Sequence, residues 1–243
     1  MQHLVFLIIL AVVAFVPGCA PKANPPVSGN ASEAESANLL ANPGFELGLM
    51  HWQWLDWSKG WAPFALSQSQ AHGGTQSLHL PVTSMDARPT IVWGGVQELV
   101  LPDEIPECID GYYYVENWER GAWKQYLQFV VIDLSRSLGE KAGNAQLRYV
   151  LTGSSVPPLQ ISNAQYLFAE RSDTPTQGKW VHFALEPRRD FRKQWQYVPQ
   201  KGAQLRLLFE ARFDGRPRDG VARADVYYDD LYFGPKTETR CGK

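Results

Sequence analysis

The sequence predicts an all-β protein, an antiparallel β-sandwich, and three observations carry that reading. Short runs rich in β-branched and aromatic residues follow one another, punctuated by Gly, Pro, Asn and Asp. The run at 204–213 alternates: Leu205, Leu207, Phe209, Ala211 and Phe213 share one face, and Gln204, Arg206, Leu208, Glu210 and Arg212 share the other. No segment reads as a convincing amphipathic helix, so the runs must pack on one another.

Taken in order, 77–80 and 96–101 alternate or nearly so. Runs 112–118 and 126–133 are long and aromatic, and they flank Glu119-Arg120-Gly121-Ala122, which reads as a hairpin connection. Runs 146–151, 180–185, 204–213 and 225–233 complete the set. The stretch 135–178 is longer than a simple sandwich needs, and Gly153 to Pro158 within it has loop chemistry.

Composition narrows the function. The chain has 243 residues, 44% apolar and 20% charged, with a formal net charge of −2. Its basic residues are dispersed, so a basic nucleic-acid surface has no support. Nine Trp, ten Tyr and eleven Phe are the unusual feature. Aromatics suit pleated half-buried surfaces and also stack on flat ligand faces, so their number alone does not separate packing from binding.

Residues 4–16 form an unbroken apolar run of signal-peptide length, short of the roughly 20 residues a membrane-spanning helix needs. Val16-Pro17-Gly18-Cys19 follows and resembles the lipobox of bacterial lipoproteins. The resemblance implies cleavage after residue 18 and lipid on Cys19. Ala20 after the Cys implies the outer membrane of a Gram-negative envelope. Residues 19–37, rich in Pro, Ala, Ser, Asn and Glu, read as a flexible tether. Residues 38–243 are then one folded domain. Cys108 and Cys241 remain, and in an exported protein they read as one disulfide, with two free thiols as the alternative.

Asn42-Pro43-Gly44-Phe45-Glu46, followed by Gly48 and Trp52, resembles the opening strand of family-four/nine-like carbohydrate-binding modules. Three further segments recur in the same order: His72-Gly73-Gly74-Thr75-Gln76-Ser77-Leu78, Gly178-Lys179-Trp180, and Val226-Tyr227-Tyr228-Asp229-Asp230-Leu231. The resemblance covers 38–234 and implies a sandwich of jelly-roll type, with Trp52 as a core residue. It also implies a structural Ca²⁺ held by Glu46, the backbone around Gly73, and Asp230. Hard carboxylate and carbonyl oxygens suit that ion. The alternative leaves Glu46 and the Asp pair as solvated strand ends.

For a ligand, Trp57 and Trp61 sit among Asp56, Ser58, Lys59 and Gly60, which is loop chemistry. Sugar C–H faces stack on indole while polar neighbours bond the hydroxyls. Trp118 and Trp123 flank the expected hairpin and make a second candidate platform. Arg206, Glu210 and Arg212 share the polar face of 204–213, which is either solvated or lines a groove; Arg there points to acidic sugars.

Catalysis has less to stand on. Glycoside hydrolysis needs two carboxyls about 5–9 Å apart across one bond. Glu104, Glu107, Asp110, Glu116 and Glu119 form no catalytic motif, and neither a nucleophile elbow nor a phosphate loop is present. The expectation is a lipid-anchored, non-catalytic protein that binds polysaccharide. The alternative is a tethered module of the same fold that binds an envelope protein, and a jelly-roll hydrolase or lyase ranks behind both.

Overall fold

The computed structural model describes residues 37–84, 88–139 and 143–242; the expected signal segment, Cys19 and the tether up to residue 36 lie outside the described residues. Its strands are β1 (Trp61–Ala62), β2 (Ala65–Ser67), β3 (Ser77–Thr83), β4 (Ile91–Val100), β5 (Cys108–Glu119), β6 (Lys124–Ser137), β7 (Asn144–Thr152), β8 (Ala164–Phe168), β9 (Trp180–Leu185), β10 (Gln204–Asp214) and β11 (Arg223–Gly234). One helix, α1 (Pro187–Trp195), lies between β9 and β10.

The strands form two sheets. One has six strands in the order β1-β4-β10-β6-β7-β8, the other five in the order β2-β3-β11-β5-β9. With the short β1, β2 and β8 set aside, the eight long strands lie as β4-β10-β6-β7 and β3-β11-β5-β9. This is the double Greek-key order of a jelly roll. Pairing is antiparallel except where β1 runs parallel to β4 and β8 parallel to β7.

The core lies between the inner faces. Leu205, Leu207, Phe209, Ala211 and Phe213 of β10 are all buried there, as their alternation predicts. From the five-stranded sheet, Leu78, Leu80, Tyr113, Val115, Phe183, Val226 and Tyr228 belong to the same cluster. Trp52 is buried, packs on Phe45 at 4.9 Å and donates its indole N–H to the Asn42 carbonyl at 2.8 Å.

Two local expectations are corrected. The Asn-Pro-Gly-Phe-Glu segment is a series of turns rather than a strand. Asn42 and Phe45 have φ of 49° and 60°, in the left-handed region, and Pro43 has no N–H to give a ladder. Leu39 N–H nevertheless bonds the Phe233 carbonyl, which ties this segment to β11. The second correction is α1. Pro187 sits in its first turn with φ already set, and Asp190 near the start and Arg192 and Lys193 near the end suit the helix dipole. Pro187, Phe191 and Trp195 fall at i, i+4 and i+8 on one face, with Phe191 fully buried and Trp195 packed against the core, a short apolar stripe between charged residues.

Cys108 and Cys241 are disulfide-bonded, with Cα atoms 5.8 Å apart. The bond fastens the C-terminal segment to the start of β5.

Candidate functional site on the six-stranded sheet

Period-two alternation turns Arg206, Leu208, Glu210, Arg212 and Asp214 of β10 away from the core. The register sets Arg206 beside Glu98 of β4 and Ile132 of β6, Glu210 beside Gly94 and Gln128, and Arg212 beside Tyr126. Arg148 of β7 lies opposite Val130 of β6 and Tyr166 of β8. Sequence reasoning proposed three residues of this face. The structure adds Glu98, Tyr126, Gln128, Arg148, Tyr166 and Asp214.

The loop carrying Trp57 and Trp61 is laid across this face. Gln53 and Val96 exchange backbone hydrogen bonds at 3.1 and 2.8 Å, and Leu55 packs on Val96, Val130 and Leu208. Trp61, on β1, packs against the same cluster. A Cβ on Gly94 would come within 3.1 Å of the Trp61 ring and 3.2 Å of Glu210. Glycine at this position therefore lets the indole lie flat against the sheet beside the Glu210 carboxylate. Trp57 is 71% exposed, and the Arg206 guanidinium lies 6.0 Å from its ring centre. The structure thus places Trp57, Trp61, Arg206, Glu210 and Arg212 on one face.

Beneath the loop the face is not solvated. Glu210, Asp214, Gln128 and Tyr126 are buried. Arg212 holds Asp214 with two bonds, Nε to Oδ2 at 3.0 Å and Nη2 to Oδ1 at 2.7 Å, and its Nη1 is 3.5 Å from Glu210 Oε2. Tyr126 donates to Asp214 Oδ2 at 2.9 Å, and Gln128 donates to Glu210. Burial opposes the charge on Arg212, but Tyr126, Glu210 and Asp214 outweigh it and raise its pKa. Burial raises the pKa of Tyr126 as well, keeping it a donor.

The two arginines expected to meet acidic sugars are paired within the protein. The planar forks of Arg212 and Arg206 are already engaged, by Asp214 and by Glu98 at 2.6–2.7 Å. Arg148 and Arg212 against Glu210 and Asp214 leave this part of the face balanced in charge.

The face nonetheless has unmet hydrogen-bonding capacity. Gln128 Oε1, Arg148 Nη1 and Tyr166 OH are buried without a partner. Buried polar atoms are nearly always satisfied, so each such atom calls for an explanation. Here one acceptor and two donor groups lie on the outward face of β6, β7 and β8 without a partner among the described residues.

Trp118 and Trp123 belong elsewhere. Trp118 is half-buried and packs against the core, with its backbone N–H on Gln177 Oε1 at 2.9 Å. Trp123 is 85% exposed and lines a cleft of about 600 Å³ with Arg120, Lys124, Ser154, Val156, Asp173 and Pro217. Neither Trp57 nor Trp61 lines that cleft. The hairpin therefore does not bring Trp118 and Trp123 into one platform, because a bulge at Asn117, whose φ is 53°, turns Trp118 toward the core while Trp123 stays exposed in the connection.

Glu46, Gly73 and Asp230 gather at one turn, within a cleft of about 830 Å³. Glu46 accepts from Thr75 N–H at 2.8 Å, Gln76 N–H at 2.9 Å and the Thr75 hydroxyl at 2.7 Å, with the Thr75 backbone bond the largest of the causes that lower its pKa. Asp229 accepts from His72 and Gly73 N–H, and Asp230 is hydrogen-bonded to His72 Nδ1. A Cβ on Gly73 would collide with the Asp230 carboxylate, and one on Gly74 with that of Glu46. Glycine at 73 and 74 therefore lets the Asp230 and Glu46 carboxylates lie close against the backbone of this turn.

No protein-family model and no curated protein matches this sequence. Solved structures similar in shape include the following two. One is the N-terminal CBM22-1–CBM22-2 tandem domain of Xyn10C from Paenibacillus barcinonensis, at 18% identity and a TM-score of 0.38, covering 80% of this chain and 44% of that one. This chain thus spans less than half of the tandem. The other is CBM27-1 of Caldicellulosiruptor saccharolyticus, in complex with mannohexaose, at 14% identity and a TM-score of 0.40, covering 79% and 94%. No site residue is transferred from either.

Proposed function

We propose that this protein is a non-catalytic glycan-binding module that uses the outer face of the six-stranded sheet. The observation that supports the reading is the exposed indole of Trp57, with the Arg206 guanidinium 6.0 Å from its ring centre, on the same face as Trp61 and the polar side chains of Glu98 and Arg206. A sugar suits both features, offering hydroxyls to partly exposed polar groups and a C–H face to an indole. The charge balance of Arg148, Arg212, Glu210 and Asp214 favours a neutral glycan. Both buried carboxylates are tied to Arg212 and its neighbours, which supports holding a ligand rather than exchanging protons with it. Binding to a polysaccharide array, compared between the parent and face variants, tests the reading.

In the same proposal, Cys19 carries lipid and residues 19–37 tether the module to the cell envelope, at the outer membrane of a Gram-negative cell. Cys19→Ser should then move the protein from the membrane fraction to the soluble one. A structural Ca²⁺ completes the proposal. The Glu46–Gly73–Asp230 cluster supports it, with carboxylate and carbonyl oxygens of the kind that ion takes. It would join the first turns to β11 without touching the sugar.

A further inference from the structure

The outer face of the five-stranded sheet is chemically unlike the face described above. Alternation turns His79 of β3, Tyr227 of β11, Tyr112 and Tyr114 of β5, and Trp180 and His182 of β9 outward on this sheet, with Tyr227 itself buried beneath its neighbours. The rings form a continuous band. His79 stacks on Tyr227 at 4.6 Å, Tyr227 meets Tyr114 at 5.8 Å, and Tyr114 meets Trp180 at 5.5 Å. His72, from the turn, packs against Trp180 at 5.6 Å and stacks on Tyr112 at 3.6 Å. At the usual strand spacing, four strands carry the band across about 14 Å.

Its polar groups are largely engaged with one another. His79 Nε2 bonds Asp225 at 2.8 Å, His182 Nε2 bonds Asp110 at 2.8 Å, and His72 Nδ1 bonds Asp230. Asp110 is also held by Arg240 at 2.9 Å, and Asp225 accepts from Asn117 at 2.8 Å. Glu116 differs: it is answered by neutral donors, Tyr227 OH at 3.0 Å, Tyr114 OH at 3.4 Å and Gln70 Nε2 at 3.5 Å.

We propose that this face is a second docking surface, whose partner is a protein presenting a Lys- or Arg-rich segment. Rings attract cations over their faces, most strongly where a carboxylate stands beside them. Glu116 supplies a negative charge that pairs with no cation among the described residues, and it accepts from two phenols of the band. Tyr112, Tyr114 and Trp180 stay partly exposed on this face, and Tyr and Trp are the residues of protein-interface hot spots. The complementary charge on the partner is therefore positive, and Arg, planar and weakly hydrated, suits the rings best. The domain would hold glycan on one sheet and a basic protein on the other.

The test uses the full-length protein, with an oligo-arginine peptide and an oligo-glutamine peptide of equal length followed by fluorescence anisotropy. The arginine peptide should bind, more weakly as salt rises, and the glutamine peptide should not. Glu116→Gln keeps the size of the side chain and removes its charge, and should weaken binding by about fivefold or more; Trp180→Ala should do the same. Asp103→Asn, on an exposed loop carboxylate away from the band, should leave binding at the parental value. Thermal melts of each variant separate lost binding from lost fold. The proposal is overturned if the arginine peptide does not bind, or if Glu116→Gln has no greater effect than Asp103→Asn. It is also overturned if folded Trp180→Ala loses hits on a polysaccharide array, since the face would then serve glycan.

Discussion

Arg206 and Trp57 meet on the outer face of the six-stranded sheet, the guanidinium 6.0 Å from the ring centre while its Nε holds Glu98 Oε1 at 2.7 Å. The contact steadies an indole that is otherwise open to solvent. The Arg206–Glu98 pair is partly exposed, so Arg206→Ala should lower stability by less than about 1 kcal/mol. Glycan affinity should fall several-fold in the same variant, because the platform loses its support. Urea unfolding and a binding titration, run side by side, check the split.

Arg212 stands at the opposite extreme. It is nearly enclosed and compensates both Glu210 and Asp214. Arg212→Met would leave two buried carboxylates without a cation, and removing one partner of a buried ionic cluster costs about 3–5 kcal/mol. Urea unfolding at neutral pH should show a loss of this size. A loss below about 1 kcal/mol would mean that the network is open to water.

The contrast between these two arginines also shows what the sequence could convey. Alternation over 204–213 placed both on one face, and period two is a strong signal in a long strand with one buried side. It could not say that the face itself is half-covered. That depends on Leu55 and Trp61 crossing from another part of the chain, and on Gly94 leaving room for the indole. Tyr126 and Gln128 alternate in a run read as a strand, but nothing local ties them to Asp214 and Glu210. Trp118 and Trp123 were paired by sequence proximity, and the hairpin separates them. The short α1 is not legible because its apolar positions, Pro187, Phe191 and Trp195, span only two turns amid Arg, Lys and Asp. The aromatic band on the other sheet was illegible for a further reason: its members come from four strands and a turn, and only strand order brings them together.

Reduction of the Cys108–Cys241 bond should destabilise the domain. The bond closes a loop across a sequence separation of 133, which in the chain-entropy model corresponds to about 5 kcal/mol. A Cys108→Ser, Cys241→Ser double variant should melt well below the parent and lose order first at the C-terminal segment, as read by hydrogen exchange. Equal melting temperatures would show that packing alone holds that segment.

Calcium should matter to stability and not to sugar recognition. Chelation should lower the melting temperature, and Asp230→Ala should abolish that sensitivity while lowering the starting value. An unchanged melting temperature, with no calcium found by elemental analysis, would leave the hydrogen bonds of Glu46 and Asp229 as the whole account of the turn.

The most direct measurement is a polysaccharide array probed with the parent protein and with Trp57→Ala, Trp61→Ala and Trp52→Ala. Trp57 is exposed and Trp61 half-buried on the face, so both variants should stay folded and lose binding to the same neutral glycans. Trp52 is enclosed between Phe45 and Phe209, so its truncation should cost roughly 3–5 kcal/mol and damage the fold itself. The account predicts parental hits on neutral polysaccharide that vanish in folded Trp57→Ala and Trp61→Ala. Parental hits that survive both substitutions, or an array without hits for the folded parent, would contradict it.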